Sequence, residues 1–175
     1  MTVLVLGLGN PILTDDGVGV WVAEAVRRAL PPESLVEVSE VSIGGLTLME
    51  SMLGYSQVIL IDAFLASDEG PGVFHRLTLD DFRSISPSQH IASTHDTSLV
   101  TAFDMGRRMG LPLPEEVIIY AIRVENILDF SDKPTPAVAE AIPRVTAAVL
   151  QELREIERDA AGRPAMTIGG TARVT

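Results

Sequence analysis

The sequence predicts an α/β protein with a mostly parallel sheet flanked by helices on both faces. Three observations predict it. Apolar runs at Thr2–Leu8, Gln57–Asp62 and Val117–Ile122 have the composition of strands buried on both faces. Segments with apolar residues at helical spacing alternate with them along the chain. Strands and helices in alternation give parallel strands joined by right-handed helical crossovers.

The elements follow in order. Thr2–Leu8 is the first strand. Residues 17–30 repeat apolar side chains at Val18, Val22, Ala25, Val26 and Ala29, and Pro31-Pro32 ends that helix. Residues 35–41 alternate apolar and polar, as a more exposed strand does. Gly44-Gly45 signals a turn before a short helix over 46–53. Gln57–Asp62 is the second fully buried strand, followed by a loop over 63–71 rich in Asp, Glu, Gly and Pro. Residues 72–77 form another strand, with Phe74 and His75 on opposite faces. Residues 79–95 are polar and read as irregular. A helix over 96–109 takes Thr94 or Asp96 as its cap. Val117–Ile122 is the third buried strand. Residues 124–136 connect it to a long helix over 136–158 that carries Pro143. This gives a single α/β catalytic domain over 1–158 and a small, polar, glycine-rich tail over 159–175, expected to be flexible.

The first strand is expected at the centre, with Gln57–Asp62 on one side and Val117–Ile122 on the other. The switch point then falls between the first and third buried strands, with Asp16 and Asp62 flanking it. Ligands bind at such a point, outside the carboxyl ends of the strands.

Composition narrows the function. The chain has 175 residues, a formal net charge of −11 and no cysteine. A field of that sign repels nucleic-acid backbones. No apolar run reaches the roughly 20 residues of a membrane span, and no basic segment precedes the first apolar stretch, so the N-terminus reads as a strand rather than a signal peptide. Without cysteine there is no disulfide, thiolate metal site or cysteine nucleophile, which suits a cytoplasmic location.

Three stretches carry chemistry: Gly7-Leu8-Gly9-Asn10-Pro11-Ile12-Leu13-Thr14-Asp15-Asp16-Gly17, then Ile59-Leu60-Ile61-Asp62-Ala63, then Ser93-Thr94-His95-Asp96. Asp15 and Asp16 precede a helix, where one acidic residue suffices as a cap and the other is available to the crevice. Asp62 ends an apolar strand, where an unpaired carboxylate is costly to bury. Its alternative role is to cap the following loop. His95 stands at a helix start, where a surface position is the plainer reading. His75 and His90 have no evident carboxylate neighbour and read as structural or surface residues. Gly7, Gly9 and Gly17 lack the spacing of a dinucleotide fingerprint. There is no phosphate-binding loop with its lysine and no Gly-x-Ser-x-Gly elbow. Two carboxylates and an imidazole meeting in one crevice make a divalent-metal site or a water-activating one.

The opening stretch through Gly19 resembles the first motif of the hydrogenase maturation endopeptidases. The similarity continues through Gly44-Gly45, Ile61-Asp62, His95, Val124-Glu125-Asn126 and the closing helix over 136–153, and so covers about residues 2–155. The resemblance implies a five-stranded sheet with one antiparallel strand, which residues 72–77 would supply. It implies removal of a C-terminal peptide from the large-subunit precursor of a nickel–iron hydrogenase once nickel is in place. The cut is expected after a His or Arg just beyond the last cysteine motif. It also implies that Asp16, Asp62 and His95 are the metal-ligating and catalytic residues, Asp being a permitted variant of Glu at the first position.

On this reading nickel arrives with the substrate, and zinc or another divalent ion can occupy the same ligands. A site without thiolates holds a free ion only moderately and cannot strip nickel from a four-cysteine centre. Asp15 is then a candidate general base. One departure concerns substrate choice: where the family often has Asp before a Gly-Gly-Thr turn, this chain has Ile43-Gly44-Gly45-Leu46-Thr47.

Two rival readings differ in class. A peptidyl-tRNA hydrolase-like esterase shares the Gly-Leu-Gly-Asn-Pro opening. It would need a Tyr and an Arg-His-Asn where this chain has Leu13-Thr14-Asp15-Asp16, and a basic groove. A non-cleaving module that docks on the nickel-loaded large subunit, or chaperones it, would use the same three ligands.

Overall fold

The computed structural model describes residues 2–42, 45–65, 69–84 and 96–162, with 96–98 by main chain only. Five strands, β1 (Val3–Leu8), β2 (Val36–Val41), β3 (Gln57–Phe64), β4 (Phe74–Thr78) and β5 (Glu116–Arg123), form one sheet in the order β2-β1-β3-β5-β4. All pairs are parallel except β4 with β5. The expected five-stranded sheet with one antiparallel strand is therefore present.

Among the described residues five helices flank it: α1 (Val18–Ala29), α2 (Leu46–Ser51), α3 (Leu79–Ser84), α4 (Asp96–Arg108) and α5 (Pro136–Gly162). Strand alternation sorts the core into two layers. Val3, Val5, Ile59, Ile61, Ile118 and Ile122 pack under Val18, Val22 and Val26 of α1 and Val138, Val145 and Val149 of α5. Leu4, Leu6, Val58, Leu60, Val117 and Ile119 pack under Leu48 of α2, Phe82 of α3 and Leu99 and Phe103 of α4.

One strand placement differs from expectation. β3, not β1, is central, and β5 lies beside β3. β3 and β5 are the two eight-residue strands and pair along their whole length, from Gln57↔Glu116 to Phe64↔Arg123. The other flank of β1 goes to β2, whose half-exposed alternating side chains suit an edge. The switch point consequently lies between β1 and β3, still between Asp16 and Asp62.

Two further differences are local. Residues 79–84, read as irregular, form α3. Thr78 accepts the Asp81 N–H through its hydroxyl while Asp81 Oδ2 accepts the Thr78 N–H at 2.8 Å, a reciprocal cap, and Leu79 and Phe82 are buried one turn apart. α5 runs to Gly162, past residue 158; residues 163–175 of the expected tail lie outside the described residues.

Candidate active site

The crevice is built where β1 and β3 end. β1 turns through Gly9, at φ 126°, a conformation that glycine adopts without strain. A side chain there would also meet the Asp16 carbonyl oxygen at 1.8 Å. The chain then makes an Asx turn, with Asn10 Oδ1 accepting the Ile12 N–H at 3.2 Å, and enters a 3-10 turn over Thr14–Gly17. Thr14 sits at φ 40°, a costly conformation for a β-branched residue. It is held there by two bonds to the loop after β5: its N–H to the Ser131 carbonyl and its hydroxyl to the Asp129 carbonyl at 2.6 Å.

The two adjacent aspartates have separate tasks. Asp15 is fully buried. Its carboxylate accepts the Thr135 N–H at 2.7 Å, the Thr135 hydroxyl and Asn126 N–H at 3.1 Å, and the Glu125 N–H at 3.3 Å. These bonds tie the first strand–helix connection to the last one and to the start of α5. A carboxylate enclosed by four donors is not placed to take a proton from water, so the general-base reading of Asp15 is set aside. Asp16 is half-buried, and its Oδ2 accepts the Asn10 N–H at 2.6 Å, which curls the loop around it.

Asp62 lies inside β3, opposite Ala121 of β5, with 8% of its surface exposed. Its Oδ1 accepts the Ala63 N–H at 2.8 Å. Its position in the strand alternation matches Val58 and Leu60, so it faces the layer of α2, α3 and α4. The turn carrying Asp16 packs directly on β3. Gly19, at the head of α1, makes this possible: a Cβ there would lie 2.2 Å from the Ile61 carbonyl oxygen and 2.3 Å from that of Leu8. The Asp16 turn thus lies against the strand that carries Asp62.

His95 and His90 lie outside the described residues. α4, which starts at Asp96, packs on the sheet face that Asp62 occupies, and it ends at the opposite edge, where the Gly54 N–H bonds to the Pro112 carbonyl beside the start of β3. α4 therefore begins on the side of the crevice. Among the described residues, no group of three His, Asp or Glu side chains is arranged for a metal.

Three features were not legible beforehand. His75 does have a carboxylate partner: its Nε2 lies 2.5 Å from Glu69 Oε2. Thr135, the key donor to Asp15, carries only the local signal of a Thr directly before Pro136, which marks a helix start and not a partner 120 residues away. The rim of the crevice is apolar: Ile12, Leu128 and Phe130 are 55%, 83% and 82% exposed. Their two loops are joined by the Ser131 N–H bond to the Ile12 carbonyl. An apolar cavity of about 670 Å³ lies at the opposite edge, lined by Val3, Leu30, Leu35, Leu153 and Arg154. It is remote from both carboxylates.

A doubly wound sheet with acidic residues beside its switch point defines an α/β protein of the class that binds ligands outside the carboxyl ends of its strands. The chain belongs to the hydrogenase maturation protease family, whose model matches residues 20–152, and it is accordingly a peptide-bond hydrolase of that kind. It is similar to the hydrogenase 2 maturation protease of Escherichia coli (strain K12), at 27% identity over 166 residues, 95% of this chain and 99% of that one. Among solved structures it resembles the hydrogenase maturating endopeptidase HybD from E. coli, with a TM-score of 0.71 and 29% identity over 89% of this chain and 93% of that one. The NiFe hydrogenase maturation protease HybD from Thermococcus kodakarensis superposes with a TM-score of 0.65 at 19% identity, covering 87% and 99% of the two chains. That last likeness bears on the fold alone. No helix among the described residues is long and apolar enough to cross a membrane.

Proposed function

We propose that this protein is the cytoplasmic endopeptidase that removes the C-terminal extension of a nickel–iron hydrogenase large-subunit precursor after nickel insertion. Nickel held by the precursor is the recognition element. The observation that supports this reading is the packing of the Asp16 turn on β3, the strand that carries Asp62. Family membership favours an endopeptidase over a peptidyl-tRNA hydrolase-like esterase.

The donor set fits a divalent ion. Asp16 spends one oxygen on the Asn10 N–H, and a carboxylate offers about four acceptor sites, so capacity for a cation remains. Asp16, Asp62 and His95 would hold it, as two carboxylates and an imidazole suited to nickel, zinc or manganese. A divalent ion bound there supplies Lewis acidity to the scissile carbonyl. The chain itself does the rest. Asp15 fixes the two loops that wall the crevice. Gly9 and Gly19 let the Asp16 turn and α1 sit on the strand ends. Ile12, Leu128 and Phe130 offer an apolar edge along which a peptide can lie.

The test is incubation with nickel-loaded precursor while following the mass of the precursor's C-terminus. We expect a single discrete mass loss with nickel-loaded precursor and none with nickel-free precursor. An unchanged mass in a stable complex would establish the non-cleaving docking module instead. Cleavage of nickel-free precursor at the same rate would remove nickel as the recognition element.

A further inference from the structure

Arg123 closes β5, and its Nε and Nη1 atoms are buried with no hydrogen-bond partner. A guanidinium cannot shed its proton to escape this situation. Leaving a charged donor buried and unsatisfied costs more than leaving a neutral one. Its main chain is fully used: Arg123 donates its N–H to the Val73 carbonyl at 2.7 Å and accepts the Gly72 N–H at 2.8 Å. The residue is therefore held firmly while its head group waits. Glu69 is bonded to His75, Asp15 to Thr135 and the loop after β5, and Asp62 makes no hydrogen bond to Nε or Nη1.

Its place in the sheet is informative. Val117 and Ile119 face the α2–α4 layer, and Ala121 and Arg123 continue the same alternation. Asp62 faces that layer too and is in register with Ala121. Arg123 therefore stands on the sheet face of Asp62, one strand over and two residues nearer the crevice mouth. Strand spacing and rise place the two Cα atoms about 8 Å apart, within reach of an arginine side chain.

We infer that Arg123 is a substrate-positioning residue that receives a carboxylate of the bound peptide beside Asp62. A neutral carbonyl would accept a hydrogen bond but leave the charge uncompensated. A carboxylate satisfies both needs, and bonds between ionised partners are about twice as strong as neutral ones. In a chain of net charge −11, with Asp16 and Asp62 at the site, Arg123 makes an acidic segment admissible there. This deepens the proposed function and rests on it only for the identity of the peptide.

The experiment separates the two. The Arg123 side-chain Nε–H resonance of the ¹⁵N-labelled full chain is followed during titration with three short probes. These are acetyl-Gly-Glu-Gly-amide, acetyl-Gly-Gly-Gly with a free carboxylate, and acetyl-Gly-Gln-Gly-amide. The expected result is a saturable downfield shift with at least one carboxylate probe and none with the glutamine amide. Which carboxylate probe shifts it tells an acidic side chain from a chain terminus. Arg123→Met should weaken that probe at least tenfold and raise KM for precursor cleavage with kcat nearly unchanged, whereas Arg123→Lys should restore part of both. Equal response to the amide, or response to none of the probes, overturns the inference whether or not the precursor is cleaved. So does a loss confined to kcat. The wild-type titration decides the matter even where a variant fails to fold.

Discussion

Thr135 gives both its N–H, at 2.7 Å, and its hydroxyl, at 3.1 Å, to the carboxylate of Asp15, 120 residues earlier in the chain. The bond pair joins the start of α5 to the turn that carries Asp16. It fixes one wall of the crevice against the other.

Replacing Asp15 by Ala should therefore destabilise the fold by about 3 kcal/mol, because several buried donors lose a charged acceptor together. Urea denaturation measures this. The same variant should process precursor poorly even where it is folded, and Thr135→Val should lose less, since the Asn126 and Glu125 main-chain bonds remain.

Gly19→Ala places a methyl against two carbonyl oxygens, at 2.2 Å and 2.3 Å. Neither can swing aside, since both belong to strands. The expected cost is about 3 kcal/mol, in the range of overpacked cores. Gly70→Ala, with nothing within 4 Å, should be neutral to within about 0.5 kcal/mol. Thermal unfolding of the two variants side by side checks the contrast.

Asp62→Asn and Asp16→Asn should each abolish processing while leaving the far-UV spectrum and Tm nearly unchanged. Each substitution removes a charge and keeps the shape. His95→Ala should do the same. Normal cleavage by any one of them removes that residue from the reaction.

Phe130→Ser and Leu128→Ser alter exposed side chains on the crevice rim. Their effect on stability should stay within about 0.5 kcal/mol. KM for precursor should rise several-fold with kcat little changed, as expected for residues that guide a peptide without touching the reacting atoms.

Acid should loosen the seam between β4 and α5. The Arg76 guanidinium, bonded to Glu152 at 2.6 Å, holds the Glu152 carboxyl below the usual range, and the Tyr120 hydroxyl adds a further bond. Burial, followed by the nearby Glu152 charge, pushes the Tyr120 hydroxyl up. A depressed carboxyl contributes stability in full above its unfolded pKa, near 4.5, and loses it as pH falls through the folded value. Tm should thus drop below about pH 4.5, and Glu152→Gln should flatten that acid limb while lowering Tm at neutral pH.

How much of this was readable depends on the distance over which each feature is decided. The buried strands and the helix over α1 follow from runs and spacings of a few residues, whereas the antiparallel course of one strand was implied by the family resemblance. The capping pair Thr78 and Asp81 is equally local, but its polar neighbours mask it. Of the two neighbours of β1, β3 was as expected and β2 was not; β3 and β5, alike in apolar character, instead pair with each other along their whole matched length.

The α/β class, the two acidic strand ends and the family likeness carried by the glycine–aspartate opening are local properties of the chain, legible without coordinates. What Asp15 does, by contrast, became visible in the fold alone, where main-chain and side-chain donors enclose its carboxylate. Asp15 and Asp16 have the same chemistry and nearly the same local sequence. Their roles diverge because the donors that claim Asp15 come from residues 125, 126 and 135, brought there by the sheet. The same holds for Arg123, whose Nε and Nη1 lack partners only because folding buries them at the end of β5.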